Sequence, residues 1–224
     1  MRIIARFEKT APVRFVSHLD VQRLFQRAFR RALIPAAYSQ GFNPHPVLAF
    51  ATALSTGFTS SAEWLDLKLE REIEPDDFIK RVNTALPAGF RVIKAALAED
   101  ALPALSALMC ATGYTVRFLC EPDADALTTA IRSLLGGEIV VNKKTKAGRK
   151  DVDLRPQLYE MVFFADRLAV TGEASAQGSL SVDLLMEALF ARLGTEYPYS
   201  VHRDALFSKD GRIMPRFEAE KYER

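Results

Sequence analysis

The chain has 224 residues, 49% hydrophobic and 26% charged, which suits a globular protein with one large core or two small ones. A net charge of +2 hides an asymmetry: residues 1–50 hold eight Arg or Lys against Glu8 and Asp20, while the other 174 residues hold 22 of the 30 basic and 26 of the 28 acidic residues. That distribution points to an anionic partner for the N-terminal part and gives no sign of a uniformly basic or acidic protein.

Residues 2–9 alternate, with Ile3, Ala5 and Phe7 on one side and Arg2, Arg6 and Glu8 on the other, the mark of a half-buried strand and not of a secretion signal. Ser17, with Asp20 three residues on, makes a capping box that opens a helix running to about Leu33, where Pro35 stops it. Residues 32–62 contain no Asp, Glu, Lys or Arg, but Pro35, Gly41, Pro44, Pro46 and Gly57 interrupt them. They cannot form a membrane helix, and the expected location is the cytoplasm. Strands are expected at 47–54 and 63–69, the second with Leu65, Leu67 and Leu69 on one face. Glu74, Pro75, Asp76 and Asp77 open a second helix, where acids suit the positive end of the dipole. A strand at 90–96 completes β-α-β-β-α-β, the ferredoxin-like plan.

Residues 98–110 read as a linker, after which the plan recurs. Strands are expected at 114–119, 139–142 and 200–207 and helices at 124–135 and 182–193, with a hairpin of 159–164 and 168–173 as one addition. The expected fold class is α+β, with two tandem ferredoxin-like (βαββαβ) domains at 1–97 and 111–224.

On a wheel of 100° per residue, Arg23, Arg27, Arg30 and Arg31 fall on one stripe of the first helix. Val21, Leu24, Phe25, Ala28, Phe29 and Ala32 fill the opposite arc. The plain reading is a solvated face or one paired with acids of the protein. The sharper reading is a phosphate-binding surface, because the planar guanidinium grips phosphate oxygens in a bidentate way that lysine cannot. A second cluster, Lys143, Lys144, Lys146, Arg149 and Lys150 in KKTKAGRK, reads as a hairpin tip able to track a nucleic-acid backbone.

The segment YSQGFNPHP (38–46) links the helix to the next strand. Gly41 permits a tight or left-handed turn, and Pro44 and Pro46 stiffen the end of the segment. Such a loop can present Tyr38, Phe42, Asn43 and His45 to a splayed base, or simply pack. His18, at the first turn of the helix, is placed to contact phosphate or to move a proton, or it is structural. A His18–His45 metal or catalytic pair is disfavoured, since a helix of about fifteen residues separates its ends by roughly 22 Å. His202 receives no role.

Other chemistries find no support. Cys110 and Cys120 are the only cysteines, too few for a disulfide framework or for an iron–sulfur cluster held by this chain alone. P-loop, G-x-G-x-x-G and G-x-S-x-G patterns are missing, and no cofactor or metal is implied. Trp64, Asp66 and Lys68 do not make the aromatic sheet platform of an RRM.

The runs RFVSHLD, RAFRRALIP, YSQGFNPHP and LSTGFTSSAEWLDLKL closely resemble the N-terminal signature of the radical-SAM-linked protein family, bacterial proteins of unknown function encoded beside a radical SAM protein or fused to it. The resemblance covers most of residues 2–97 and implies a radical SAM partner that carries the chemistry. Arg14, Ser17, His18, Asp20, Arg30, Arg31, Gly41, Phe42, Asn43, Pro44 and His45 fall on its motif. The tandem plan is also similar to that of CRISPR repeat-processing endoribonucleases. The leading expectation is an RNA-binding accessory protein that presents a tRNA or rRNA to the partner enzyme. The rivals are a metal-independent endoribonuclease using His18 or His45, and a docking module whose arginines meet an acidic patch of the partner.

Overall fold

The structure is a computed structural model that describes residues 1–145, 148–175 and 177–218. The chain divides into two compact units, the first comprising 1–109 and 202–206, the second 110–201 and the residues from 207 onward.

In the first unit the order is β1 (Arg2–Lys9), α1 (His18–Arg31), β2 (Leu48–Phe50), β3 (Thr59–Lys68), α2 (Pro75–Ala85) and β4 (Phe90–Ala98). The sheet runs β4-β1-β3, with β2 pairing antiparallel to the C-terminal half of β3. This is the ferredoxin-like arrangement, as expected. Two elements differ in extent: the strand expected at 47–54 is three residues long, and β3 begins four residues before the expected 63.

The alternation in β1 puts Ile3, Ala5 and Phe7 into the core, where they meet Leu65 and Leu67 of β3 and the apolar face of α1. Val21, Phe25, Ala28 and Phe29 are the buried residues of that helix, spaced by four, three and one as one helical face requires. Phe25 is the hub, with its ring 4.7 Å from Phe7, 5.8 Å from Phe29 and 6.2 Å from Phe90. On α2, Asn83 ties the helix to β4: its amide nitrogen donates to the Val92 carbonyl at 2.9 Å and its oxygen accepts from the Val92 amide at 2.8 Å.

Ser17 caps α1 as expected, accepting from the Asp20 amide at 3.3 Å. The other end does not wait for Pro35. Leu33 adopts a left-handed φ of 51°, and the Ile34 amide bonds the Phe29 carbonyl at 3.0 Å while Leu33 bonds Arg30 at 3.2 Å, closing the helix as a Schellman turn. The Arg81 guanidinium of α2 donates to the Ala32 carbonyl at 2.7 Å and also to that of Leu33. The segment read as a linker contains a short helix, α3 (Leu105–Leu108), with Leu105 and Leu108 buried.

The second unit contains β5 (Met109–Phe118), α4 (Ala124–Leu135), β6 (Val140–Thr145), β7 (Gly148–Asp153), β8 (Leu158–Phe164), β9 (Arg167–Glu173), α5 (Val182–Leu193) and the two ends of β10 (Tyr199–Ser208), whose residues 202–206 are counted with the first unit. β8, β9 and β5 are neighbours in the sheet, and β10 lies next to β5. The ferredoxin-like plan therefore recurs as β5-α4-β8-β9-α5-β10. The insertion is the separate β6–β7 hairpin, not the β8–β9 pair that the sequence pattern suggested. Apolar Ile139 and Val141 imitate a sheet strand, but they anchor the hairpin base, where they and Leu154 are buried.

Candidate nucleic-acid interface

The arginine stripe lies on the exposed side of α1. Arg23 meets Asp20 at 3.1 Å, one turn earlier, in a solvent-exposed pair, so this contact neutralises one charge of the row at small energetic gain. Arg31 donates to the Ala85 carbonyl of α2. Arg27 and Arg30 are exposed, and their guanidinium groups make no hydrogen bond or ion pair among the described residues. The helix C-terminus favours cations and accounts for Arg30 and Arg31. It does not account for Arg27, which sits mid-helix within four residues of Arg23, Arg30 and Arg31, where like charges repel. Arg14, before the helix, stacks its guanidinium over the exposed Phe15 ring at 4.7 Å, a cation–π contact that leaves the charge accessible.

The loop at 38–46 is a closed structure. Tyr38 and Pro46 form an antiparallel bridge. The Ser39 amide donates to the His45 carbonyl at 2.9 Å, and the His45 amide to Ser39 Oγ at 3.2 Å. His45 Nδ1 lies 3.1 Å from the Asn43 carbonyl and 3.1 Å from Ser39 Oγ. Gly41 takes a φ of 123°, where any side chain would be strained. At the tip Phe42 is fully exposed and Asn43 is exposed beside it.

The second basic cluster is a β-ribbon. Lys143 pairs across it with Lys150, so like charges face each other where opposite ones would stabilise, and Lys144 is in backbone register with Arg149. Lys143, Arg149 and Lys150 are exposed. An Asn142–Asp151 bond of 2.7 Å sits one pair nearer the base. Lys146 lies outside the described residues.

His18 is placed differently from the rest. Its ring packs edge-on against Phe50 at 5.3 Å and lines a cavity of about 10 Å³ with Lys9, Glu63, Phe7, Val21, Phe50 and Leu54. That is at the lower limit for one water and far too small for a phosphate. Burial pulls the His18 imidazole below its ordinary pKa, with the charges of Arg203 and Lys9 acting the same way and Glu63 opposing them. His45 belongs to the loop that follows α1, and no contact joins it to His18 among the described residues.

Sequence reasoning missed the polar cluster under this helix end. Lys9 is 2% exposed, and its ammonium donates to the Arg14 and Val16 carbonyls at 2.9 Å each; burial, together with the charge of Arg203, lowers its pKa. Glu63 and Arg203 form a buried ion pair at 2.9 Å, and Arg203 also donates to the Ala53 carbonyl at 3.0 Å. The signal was present for two of the three: Lys9 continues the inward register of Ile3, Ala5 and Phe7, and Glu63 that of Leu65 and Leu67. His202, which received no role, holds Thr59 Oγ1 at 2.8 Å and Ser61 Oγ at 3.2 Å. Through the Arg14 and Val16 carbonyls, Lys9 ties β1 to the turn that leads into Ser17 and α1.

Fold and surface together define a class: an α+β protein of two ferredoxin-like units carrying a basic helix and a basic ribbon. The chain belongs to DUF2344, an uncharacterized protein family conserved in bacteria, whose model matches residues 2–187. No curated protein matches it in sequence. Among solved structures it is similar to a Cbf5-Nop10-Gar1 complex, with TM-score 0.51 and 11% identity over 91% of this chain and 48% of that one. An archaeal box H/ACA sRNP Nop10-Cbf5 complex matches with TM-score 0.45 and 9% identity over 90% of this chain and 46% of that one. The chain thus spans about half the length of these structures, and at such identities the likeness concerns the fold alone. Among the described residues no helix is long and apolar enough to cross a membrane.

Proposed function

We propose that the protein is an RNA-binding accessory factor that presents a structured RNA, a tRNA or an rRNA, to a partner radical SAM enzyme. The observation that carries the RNA reading is the state of the arginine row. Only one of its four guanidinium groups meets a carboxylate among the described residues, and those of Arg27 and Arg30 make no ion pair or hydrogen bond there. Like-charge neighbours cost a few tenths of a kcal/mol each, and a line of phosphates would reverse the sign of that term. The ribbon supports the same reading, because its Lys143–Lys150 cross-strand pair is relieved by an anionic backbone.

The radical SAM reading rests on the resemblance of residues 2–97 to the radical-SAM-linked signature. Against the ribonuclease alternative, His18 faces a cavity with room for about one water, which leaves His45 as its remaining candidate acid or base. The docking alternative predicts a different outcome in the same experiment. Crosslinking in cells, followed by sequencing of attached RNA and by co-purification with the radical SAM protein after nuclease treatment, should recover a defined tRNA or rRNA with the wild-type protein. Arg27→Glu with Arg30→Glu should lose the RNA and keep the enzyme. Loss of the enzyme with RNA unchanged assigns the row to protein docking. RNA cleavage in EDTA that disappears in His18→Ala overturns the accessory role.

A further inference from the structure

We infer that the loop at 38–46 reads an unpaired nucleotide, stacking its base on Phe42 and accepting a hydrogen bond from its edge or its 2′-hydroxyl at His45 Nε2; the inference rests on the RNA reading above and names the part of the RNA that is recognised.

Three observations carry it. Phe42 is the most exposed large apolar side chain described, and it is held out by a closed loop, not left on a loose one. The Tyr38–Pro46 bridge and the Ser39–His45 bonds fix the loop base, so a partner that covers the ring meets a surface already ordered.

The second observation is the tautomer of His45. Its Nδ1 faces the Asn43 carbonyl at 3.1 Å. Ser39 Oγ, also at 3.1 Å, can donate or accept, whereas a carbonyl only accepts. A proton on Nδ1 suits both contacts, while a bare Nδ1 would set its lone pair against the carbonyl; the Nδ1-protonated form leaves the lone pair on Nε2. Among the described residues Nε2 has no partner. The tip thus offers an aromatic face, an acceptor at His45 and the donor–acceptor amide of Asn43. A purely apolar protein partner would use only the first. A base uses all three, with its face on the ring and its edge on the polar atoms.

The third observation is topological. α1 ends with Arg30 and Arg31, and the loop stands where β2 begins against the C-terminal part of β3, Leu48 facing Leu67. β1 is antiparallel to β3 with Arg2 opposite Lys68, so the helix that follows β1 returns toward the same end of the unit. The chain from Arg31 to Tyr38 spans at most about 25 Å, within reach of a few nucleotides of one strand. Residues 32–62 hold no acidic side chain, so nothing on the loop itself repels the backbone. A fully paired duplex keeps its base faces stacked and cannot use Phe42; an unpaired nucleotide can.

The test is fluorescence anisotropy with labelled RNAs of one length, a single strand, a stem with an open loop and a perfect duplex, at about 0.1 M salt. Wild type, Phe42→Ala, His45→Ala and Arg27→Glu/Arg30→Glu are compared, each shown folded by circular dichroism. Wild type should favour the single strand and the open loop over the duplex. Phe42→Ala should weaken those two by about tenfold or more, as loss of a base–aromatic stack does, and leave the duplex unchanged; His45→Ala should act in the same direction. If Phe42→Ala binds every RNA as wild type does while the arginine variant loses all of them, base reading is wrong and the phosphate surface stands. If wild type binds none of the three, both readings fall.

Discussion

Replacing Glu63 by Gln removes a carboxylate whose charge acts on both Lys9 and His18 while keeping the side chain's shape. Glu63 and Arg203 are each 5% exposed, with Arg203 Nη1 at 2.9 and 3.2 Å from the two carboxylate oxygens. With the charge gone, Arg203 and Lys9 stay buried and lose the counter-charge that Glu63 supplies. Breaking one side of such a pair costs about 3–5 kcal/mol, a large part of a whole domain's stability. Urea unfolding followed by circular dichroism should therefore show a loss in that range. Arg203→Met in the Glu63→Gln background should recover part of it, because the buried charge that Glu63 balanced is then removed as well. A Glu63→Gln variant within about 1 kcal/mol of wild type would refute the reasoning, since it would mean that water reaches these charges despite their burial.

Three further outcomes rest on local geometry. Leu33→Gly should stabilise the protein by about 1 kcal/mol, because Leu33 is exposed at a left-handed φ that glycine adopts without penalty; denaturant midpoints check it, and a loss of stability would contradict it. Asn83→Ala should cost about 2 kcal/mol in the same assay, since it strands the amide and carbonyl of the buried Val92. His18 has a folded pKa below 6.5, so the unfolded chain takes up a proton first as pH falls. The stability that His18 contributes is full above pH 6.5 and lost as pH drops toward the folded value. Unfolding curves from pH 7.5 to 5.5 should show that decline, and His18→Gln should flatten it.

Much of the first unit was legible because its signals are local. A period of two in residues 3–7, a period near 3.6 in 21–29 and a serine–aspartate cap each reflect contacts within a few residues. The second unit was harder. Residues 139–141 are as apolar as a sheet strand, and only long-range pairing of β5 with β9 and of β9 with β8 shows that they belong to an inserted ribbon. The end of α1 was assigned to Pro35 because proline is visible in sequence, whereas a leucine in a left-handed conformation is not. The arginine stripe could be drawn on a wheel, but whether its groups were engaged depended on α2, whose Arg81 and Ala85 meet the helix end. Glu63 and Arg203 are 140 residues apart, and neither announces the other.

On the RNA reading, phosphates occupy the row that Arg27 and Arg30 leave open. Binding constants for a single-stranded RNA measured from 50 to 300 mM salt test it directly. Each phosphate contact contributes about 0.7 to the slope of log K against log salt. Arg27→Gln with Arg30→Gln should therefore lower the slope by about 1.4 and weaken binding most at low salt. Superimposable lines for wild type and variant would contradict the account.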